Sequence, residues 1–203
     1  MPSYPVRPPS PKANLVQAFR GEVRATVPLH PLERALVVLA SLHLCFLPWA
    51  MGARSPWAQV VSLGFAVVIF VLALWPRLYT GELAPEKDFT LHTWPRLLRF
   101  PIFWLGLLFL GYIAAGALNP AWQYVNDGKV WYIESLPHTD LLPSSIAAPF
   151  ERMNAWRMLV IYGSAWLLVC SLWTAITRRA AAQTILTAVV VNGAVLALIG
   201  ILQ

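Results

Sequence analysis

Three titratable side chains, Glu134, His138 and Asp140, stand close together in the sequence, and a carboxylate–imidazole pair can move a proton. They lie in a long polar segment, 119–155, that also carries four amphipathic rings, Trp122, Tyr124, Trp131 and Tyr132. Such rings can stack on sugar faces or anchor a segment among lipid headgroups. Anchoring is the commoner use of Trp and Tyr beside a membrane. At the end of the segment Arg152 and Arg157 flank the start of an apolar run. A guanidinium presents a fork of donors that matches phosphate oxygens. The plainer alternative is that Glu151 pairs with a neighbour while both arginines snorkel into headgroups. Polar segments contain Glu, His and Asp by chance, so the rings and arginines carry more weight than the proton-transfer trio.

Other chemistry is absent from the pattern. His30, His43, His92 and His138 are scattered without ligand spacing. There is no phosphate-cradling glycine loop, no nucleophile elbow and no basic–aromatic surface suited to nucleic acid. No metal, cofactor or nucleic-acid partner is expected.

The elements around the polar segment define the class. The 203 residues are 58% hydrophobic and 12% charged, with a net charge of +6 and a mean hydropathy of +0.61. A soluble chain carries about 25% charged residues. The apolar residues fall in runs near the ~20 needed to cross a bilayer as a helix. The expected fold is all-α, a polytopic transmembrane bundle of about five spans at 32–51, 57–75, 101–118, 156–176 and 184–202, with the external loop 119–155 between the third and fourth. Its first partner is the lipid bilayer.

Residues 1–31 are basic and proline-rich and predict a disordered cytoplasmic tail, not a signal peptide. Pro48, Gly52 and Pro56 break the first hairpin, with Trp49 and Trp57 at the interface. The stretch 94–100 mixes basic and apolar residues and is expected along the membrane surface. Cys45 and Cys170 sit in apolar runs and read as small hydrophobes. His43 and Asn192, inside spans, read as bonds to neighbouring helices rather than as ligands. Gly111 with Ala115, and Gly193, Ala197 and Gly200, form small-residue stripes suited to close helix packing.

Basic residues set the expected orientation. With the N-terminus inside, Arg7, Lys12, Arg20, Arg24, Arg34, Arg77, Lys87, Arg96, Arg99, Arg178 and Arg179 are cytoplasmic. Only Arg54, Lys129, Arg152 and Arg157 are outside, so the bias favours N-in and places 119–155 externally.

The order of elements resembles the first half of the bacterial O-antigen ligase/polymerase-like membrane proteins. The hairpin LPWAMGARSPWAQVVSLGFA is similar to their first, and NPAWQY followed by LPSSIAAPFERMNAWRMLVIYGSAWLLVCSLW is similar to their first large external loop and next helix. The double Arg and the closing Gly200-x-x-Gln203 also fit. The resemblance implies a bacterial inner-membrane enzyme that transfers a glycan from a polyprenyl-diphosphate carrier. The family's catalytic Arg and His lie in a later external loop, so no catalytic residue is assigned here and the chain alone is expected to be inactive. Arg152, Arg157, Trp122 and Trp131 are the expected contacts to carrier diphosphate or glycan, with Arg157 foremost. The implied partners are the lipid-linked glycan and a C-terminal half; the alternative is a non-catalytic subunit packed against a larger membrane complex.

Overall fold

The computed structural model describes residues 28–50, 55–80, 88–152 and 154–202. Five of its helices are long and apolar enough to cross a membrane, so the chain is a multi-pass membrane protein of the all-α class. In order they and one short helix are α1 (Pro31–Trp49), α2 (Pro56–Leu74), α3 (Thr93–Leu98), α4 (Pro101–Leu118), α5 (Ala155–Ala175) and α6 (Arg179–Leu202). The short one, α3, covers the stretch expected along the membrane surface. Proline opens α1, α2 and α4, where its missing N–H has no helical partner to lose.

Two helix boundaries depart from the sequence expectation by more than one residue. α6 begins at Arg179, five residues before 184, because Ala180, Ala181, Ala182 and Gln183 are strong helix formers and extend it toward the loop. α1 runs through Pro48 to Trp49, so that proline lies inside the helix. The expected disordered tail falls on residues 1–27, outside the described residues, together with Gly52, Arg54 and Lys87; residues 28–31 are described and Pro31 already belongs to α1.

α1 and α2 form an antiparallel hairpin, with Phe46 against Trp57 at one end. α5 lies along α2 and is the main axis of the bundle; α4 runs antiparallel to it, with Phe109 on Tyr162, Phe103 on Trp166 and Phe100 on Trp173. α6 packs alongside α1. The core gathers Leu36 and Ala40 of α1, Ile69 of α2, Leu168 of α5 and Ile185 of α6. Cys170 packs with Leu97 and Phe100 in a second cluster, as a small hydrophobe would.

The small-residue stripes do not make the closest contacts. A Cβ added at Gly111, Gly193 or Gly200 would meet nothing, whereas one at Gly106 would run into the Trp166 indole. Trp166 crosses close to that bare backbone, and its ring N–H donates to the Phe103 carbonyl at 3.2 Å.

Each end of the bundle carries a small sheet. At one, β1 (Arg77–Tyr79) pairs antiparallel with β2 (Phe89–Leu91). At the other, segment 119–155 is not an irregular loop. It contains β3 (Pro120–Asn126), β4 (Trp131–Ser135) and β5 (Ser145–Ala147), in the order β4-β3-β5. β3 and β4 are antiparallel; β5 lies parallel to β3. The β3–β4 turn is made by Asn126-Asp127-Gly128. Gly128 has φ 81°, a region that favours glycine, and its N–H donates to the Asn126 side chain at 3.0 Å.

Candidate functional site

The sheet end is built on two asparagines. Asn119, just past α4, accepts from the Thr139 N–H at 2.9 Å and donates to the carbonyls of Thr139 and Pro143 at 3.0 and 3.3 Å. It thereby ties down the crossover that brings β5 back beside β3. Ser145 of β5 donates to the Gly116 carbonyl at 2.7 Å, which also accepts the Asn119 N–H at 3.3 Å, so the end of α4 is tied to the sheet. Asn154 is the N-cap of α5. Its oxygen accepts from the Arg157 N–H at 2.7 Å and its amide donates to the Ala148 carbonyl at 2.8 Å, which joins the end of the sheet to the start of the helix.

Between the sheet and the ends of α4 and α5 lies a groove of about 480 Å³, lined by Gln123, Tyr124, Ile146, Pro149, Asn154 and Trp156 among others. β3 and β4 point their side chains alternately to two faces. The register sets Tyr124 opposite Ile133 and Asn126 opposite Trp131, so Trp122, Tyr124, Trp131 and Ile133 share one face. Tyr124 and Trp131 are diagonal neighbours, with centroids 6.2 Å apart and ring planes only 18° from parallel. The guanidinium of Arg152 sits over the Tyr124 ring, 5.0 Å from its centroid. Gln123, Val125, Tyr132 and Glu134 take the opposite face.

The four expected contact residues therefore separate. Trp122, Trp131 and Arg152 are exposed on or beside one sheet face. Arg157 is only 6% exposed: its Nε donates to Gln59 Oε1 of α2 at 2.9 Å and its Nη1 to the Glu151 carbonyl at 2.6 Å. Its guanidinium joins α2, α5 and the sheet linker, whereas that of Arg152 faces outward.

The proton-transfer trio does not converge on a cavity. His138 lies 3.2 Å from Asp140, whose side chain is 94% exposed, while Glu134 stands on β4. His43 bonds across the helix pair as expected, its Nε2 2.8 Å from Ser62 Oγ, and stacks on Phe65. Asn192 accepts from the Trp49 indole at 2.7 Å and donates to the Cys45 carbonyl at 3.4 Å, which couples α6 to α1.

A second polar centre, at the β1–β2 end, escaped the sequence reading. Glu33 is fully buried at the start of α1. Its carboxylate accepts from the Tyr79 hydroxyl at 3.0 Å, the Thr177 N–H at 3.0 Å, and the Thr177 hydroxyl at 3.1 and 3.0 Å. Arg77, 1% exposed, donates to the Ala175 carbonyl at 3.0 Å, and Arg96 to the Ile176 carbonyl at 3.3 Å. One carboxylate and two guanidiniums thus satisfy the backbone and hydroxyl groups exposed where α5 breaks before α6. Burial is the main cause that raises the Tyr79 hydroxyl pKa above its ordinary value.

His30 closes this end. Its Nδ1 accepts from the Leu32 N–H at 3.2 Å as the N-cap of α1, and its ring lies 5.2 Å from that of Tyr79. Burial, then the nearby Arg77 charge, lower its pKa, with Glu33 opposing. The cap needs an unprotonated Nδ1. A lowered folded pKa means that the stability is present above the ordinary value of 6.5 and is lost as pH falls through the folded one. The melting temperature of the detergent-solubilised protein should therefore drop between pH 7.5 and 5. His30→Asn, which keeps a capping oxygen but does not titrate, should flatten that limb; an unchanged acid limb in the variant would assign it to other groups.

Comparison with protein-family models, curated proteins and solved structures gave no match for this chain.

Proposed function

We propose that these helices belong to an O-antigen ligase-like protein of the bacterial inner membrane, N-terminus in the cytoplasm, that helps transfer a polyprenyl-diphosphate-linked glycan. The observation that carries the reading is the groove at the sheet end. It lies against the ends of two spans and combines apolar walls, amide side chains and an outward guanidinium at its margin. A lipid carrier needs that combination: acyl chain in the bilayer, diphosphate at the interface, sugars beyond it. The charge bias supports this orientation, since Arg34, Arg96, Arg99, Arg178 and Arg179 gather at the end opposite the groove. Arg152 is the phosphate contact, in preference to Arg157, whose donors are engaged within the fold. These groups bind rather than transfer, so the expected role of the segment is to hold the carrier.

A second reading, a subunit that packs against another membrane protein, draws on α6, where Leu186, Val190 and Leu198 are at least 60% exposed. The two readings part in one experiment. A photoreactive polyprenyl-diphosphate-linked glycan, added to membranes containing the full chain, should label residues 145–157, with the label competed by unlabelled carrier and reduced by Arg152→Ala. Label that is not competed, or that falls elsewhere, would remove the carrier reading.

A further inference from the structure

The sheet face beyond the groove has a feature that lipid anchoring does not require. Aromatic anchors need only reach the headgroups, at any mutual angle. Here two rings from adjacent strands have nearly parallel planes, 18° apart, with their centroids 6.2 Å from each other. The diagonal placement of the two residues is set by five residue pairs of the β3–β4 ladder and by the glycine turn, so their proximity belongs to the backbone. Trp131 is 64% exposed. Arg152 covers Tyr124, so the surface left open is the Trp131 ring with a guanidinium one ring away. Among the described residues Arg152 makes no ion pair or side-chain hydrogen bond. Trp122 and Ile133 extend the same face.

Exposed aromatic surface carried by a paired ladder and bordered by an unpaired cation marks an interaction site. A flat partner with apolar C–H faces and a negative group at its edge complements it on both counts. A pyranose ring bearing a carboxylate has those features. We propose that the β3–β4 face is a glycan-binding platform for acidic sugars: a pyranose stacks on Trp131 and its carboxylate meets Arg152. The inference rests on the glycan-handling reading for the class of partner, but it places the sugar on the sheet face rather than in the groove. Binding here needs neither the diphosphate nor the lipid.

The test is calorimetric titration of the full chain in nanodiscs with two linear saccharides, heptagalacturonate as the acidic probe and maltoheptaose as the neutral one. Heptagalacturonate should bind about tenfold more weakly to Trp131→Ala and to Arg152→Gln, a factor equivalent to about 1.4 kcal/mol. Trp131→Phe should recover part of the loss. Maltoheptaose should bind more weakly than the acid, respond to Trp131→Ala and ignore Arg152→Gln. Failure of either saccharide to bind, or binding indifferent to Trp131→Ala, overturns the platform. Brominated phosphatidylcholine decides the membrane alternative: if the quenching difference between wild type and Trp131→Phe places that indole in the bilayer, the face is an anchor and the proposal falls. Saccharide binding without carrier labelling would leave the platform and remove the lipid-linked donor; labelling without saccharide binding would do the reverse.

Discussion

Glu33→Ala should cost more stability than any other single substitution at the β1–β2 end of the bundle. The carboxylate accepts from the Tyr79 hydroxyl, the Thr177 N–H and the Thr177 hydroxyl, and it is fully buried. Truncation leaves those donors without their acceptor. A buried donor stripped of its partner costs about 1–3 kcal/mol, so two or three of them come to several kcal/mol. Glu33→Gln should cost less, since one side-chain oxygen remains, while the new NH₂ group faces donors. Arg34→Ala is the control, one residue away on the exposed side of the same turn. The comparison is a thermal melt in detergent micelles. Equal melting temperatures for Glu33→Ala and Arg34→Ala would show that the three contacts contribute nothing. Alkali gives an independent check. The raised Tyr79 pKa means that folding favours the neutral phenol, so its contribution is complete below the ordinary value of 10.0 and is lost as pH rises through the folded one. Tyr79→Phe should remove that alkaline limb.

This centre was invisible to sequence reasoning, and the reason is separation. Glu33 meets Tyr79 across 46 residues and Thr177 across 144. Nothing in the local pattern of any of the three signals the others. Glu33 is a lone carboxylate beside Arg34 in the sequence, and Arg77 read as one of many inward-side cations. Burial turns both into partners of backbone groups, because bare carbonyls and N–H groups near hydrocarbon need satisfying.

Spans were legible for the opposite reason. A helix in lipid is specified by local hydropathy, and α4 runs from Pro101 to Leu118 within the expected limits. The three-stranded sheet lies between these cases. Its signals were present: β-branched and aromatic residues in 120–126 and 131–135, and Asn-Asp-Gly between them. They were overshadowed by the polarity of the segment, and the parallel return of β5 depends on Asn119 reaching three carbonyls from Thr139 to Pro143. Pairing registers of that kind are set by tertiary contacts. The proximity of Tyr124 and Trp131 follows from the register, so a reading that saw four aromatic residues had no means to bring two of them together.

Arg157→Ala should be the most damaging change at the sheet end, through stability before any effect on a ligand. Its guanidinium spans Gln59 of α2 and the Glu151 carbonyl, while its backbone N–H donates to the capping oxygen of Asn154. Charge-assisted hydrogen bonds contribute about 1.5–3 kcal/mol each, so losing both should cost on the order of 3–5 kcal/mol. Arg157→Lys retains the charge, but a single ammonium on a flexible stem cannot hold two acceptors in fixed directions, and it should recover only part of the loss. Gln59→Leu removes the α2 acceptor alone. In a double-mutant cycle the pair should show a coupling of about 1–2 kcal/mol, since residues in one hydrogen-bond network do not add. Asn154→Ala should weaken the same junction by about 1 kcal/mol through the lost cap. Arg152→Ala, by contrast, loses only a contact with the Tyr124 ring and should melt within about 0.5–1 kcal/mol of the native protein. The two arginines are thereby separated by experiment. A stable Arg157→Ala protein that no longer takes the carrier label would restore Arg157 as a lipid-phosphate contact. An unstable one, beside a stable Arg152→Ala that loses the label, assigns the junction to Arg157 and the ligand to Arg152.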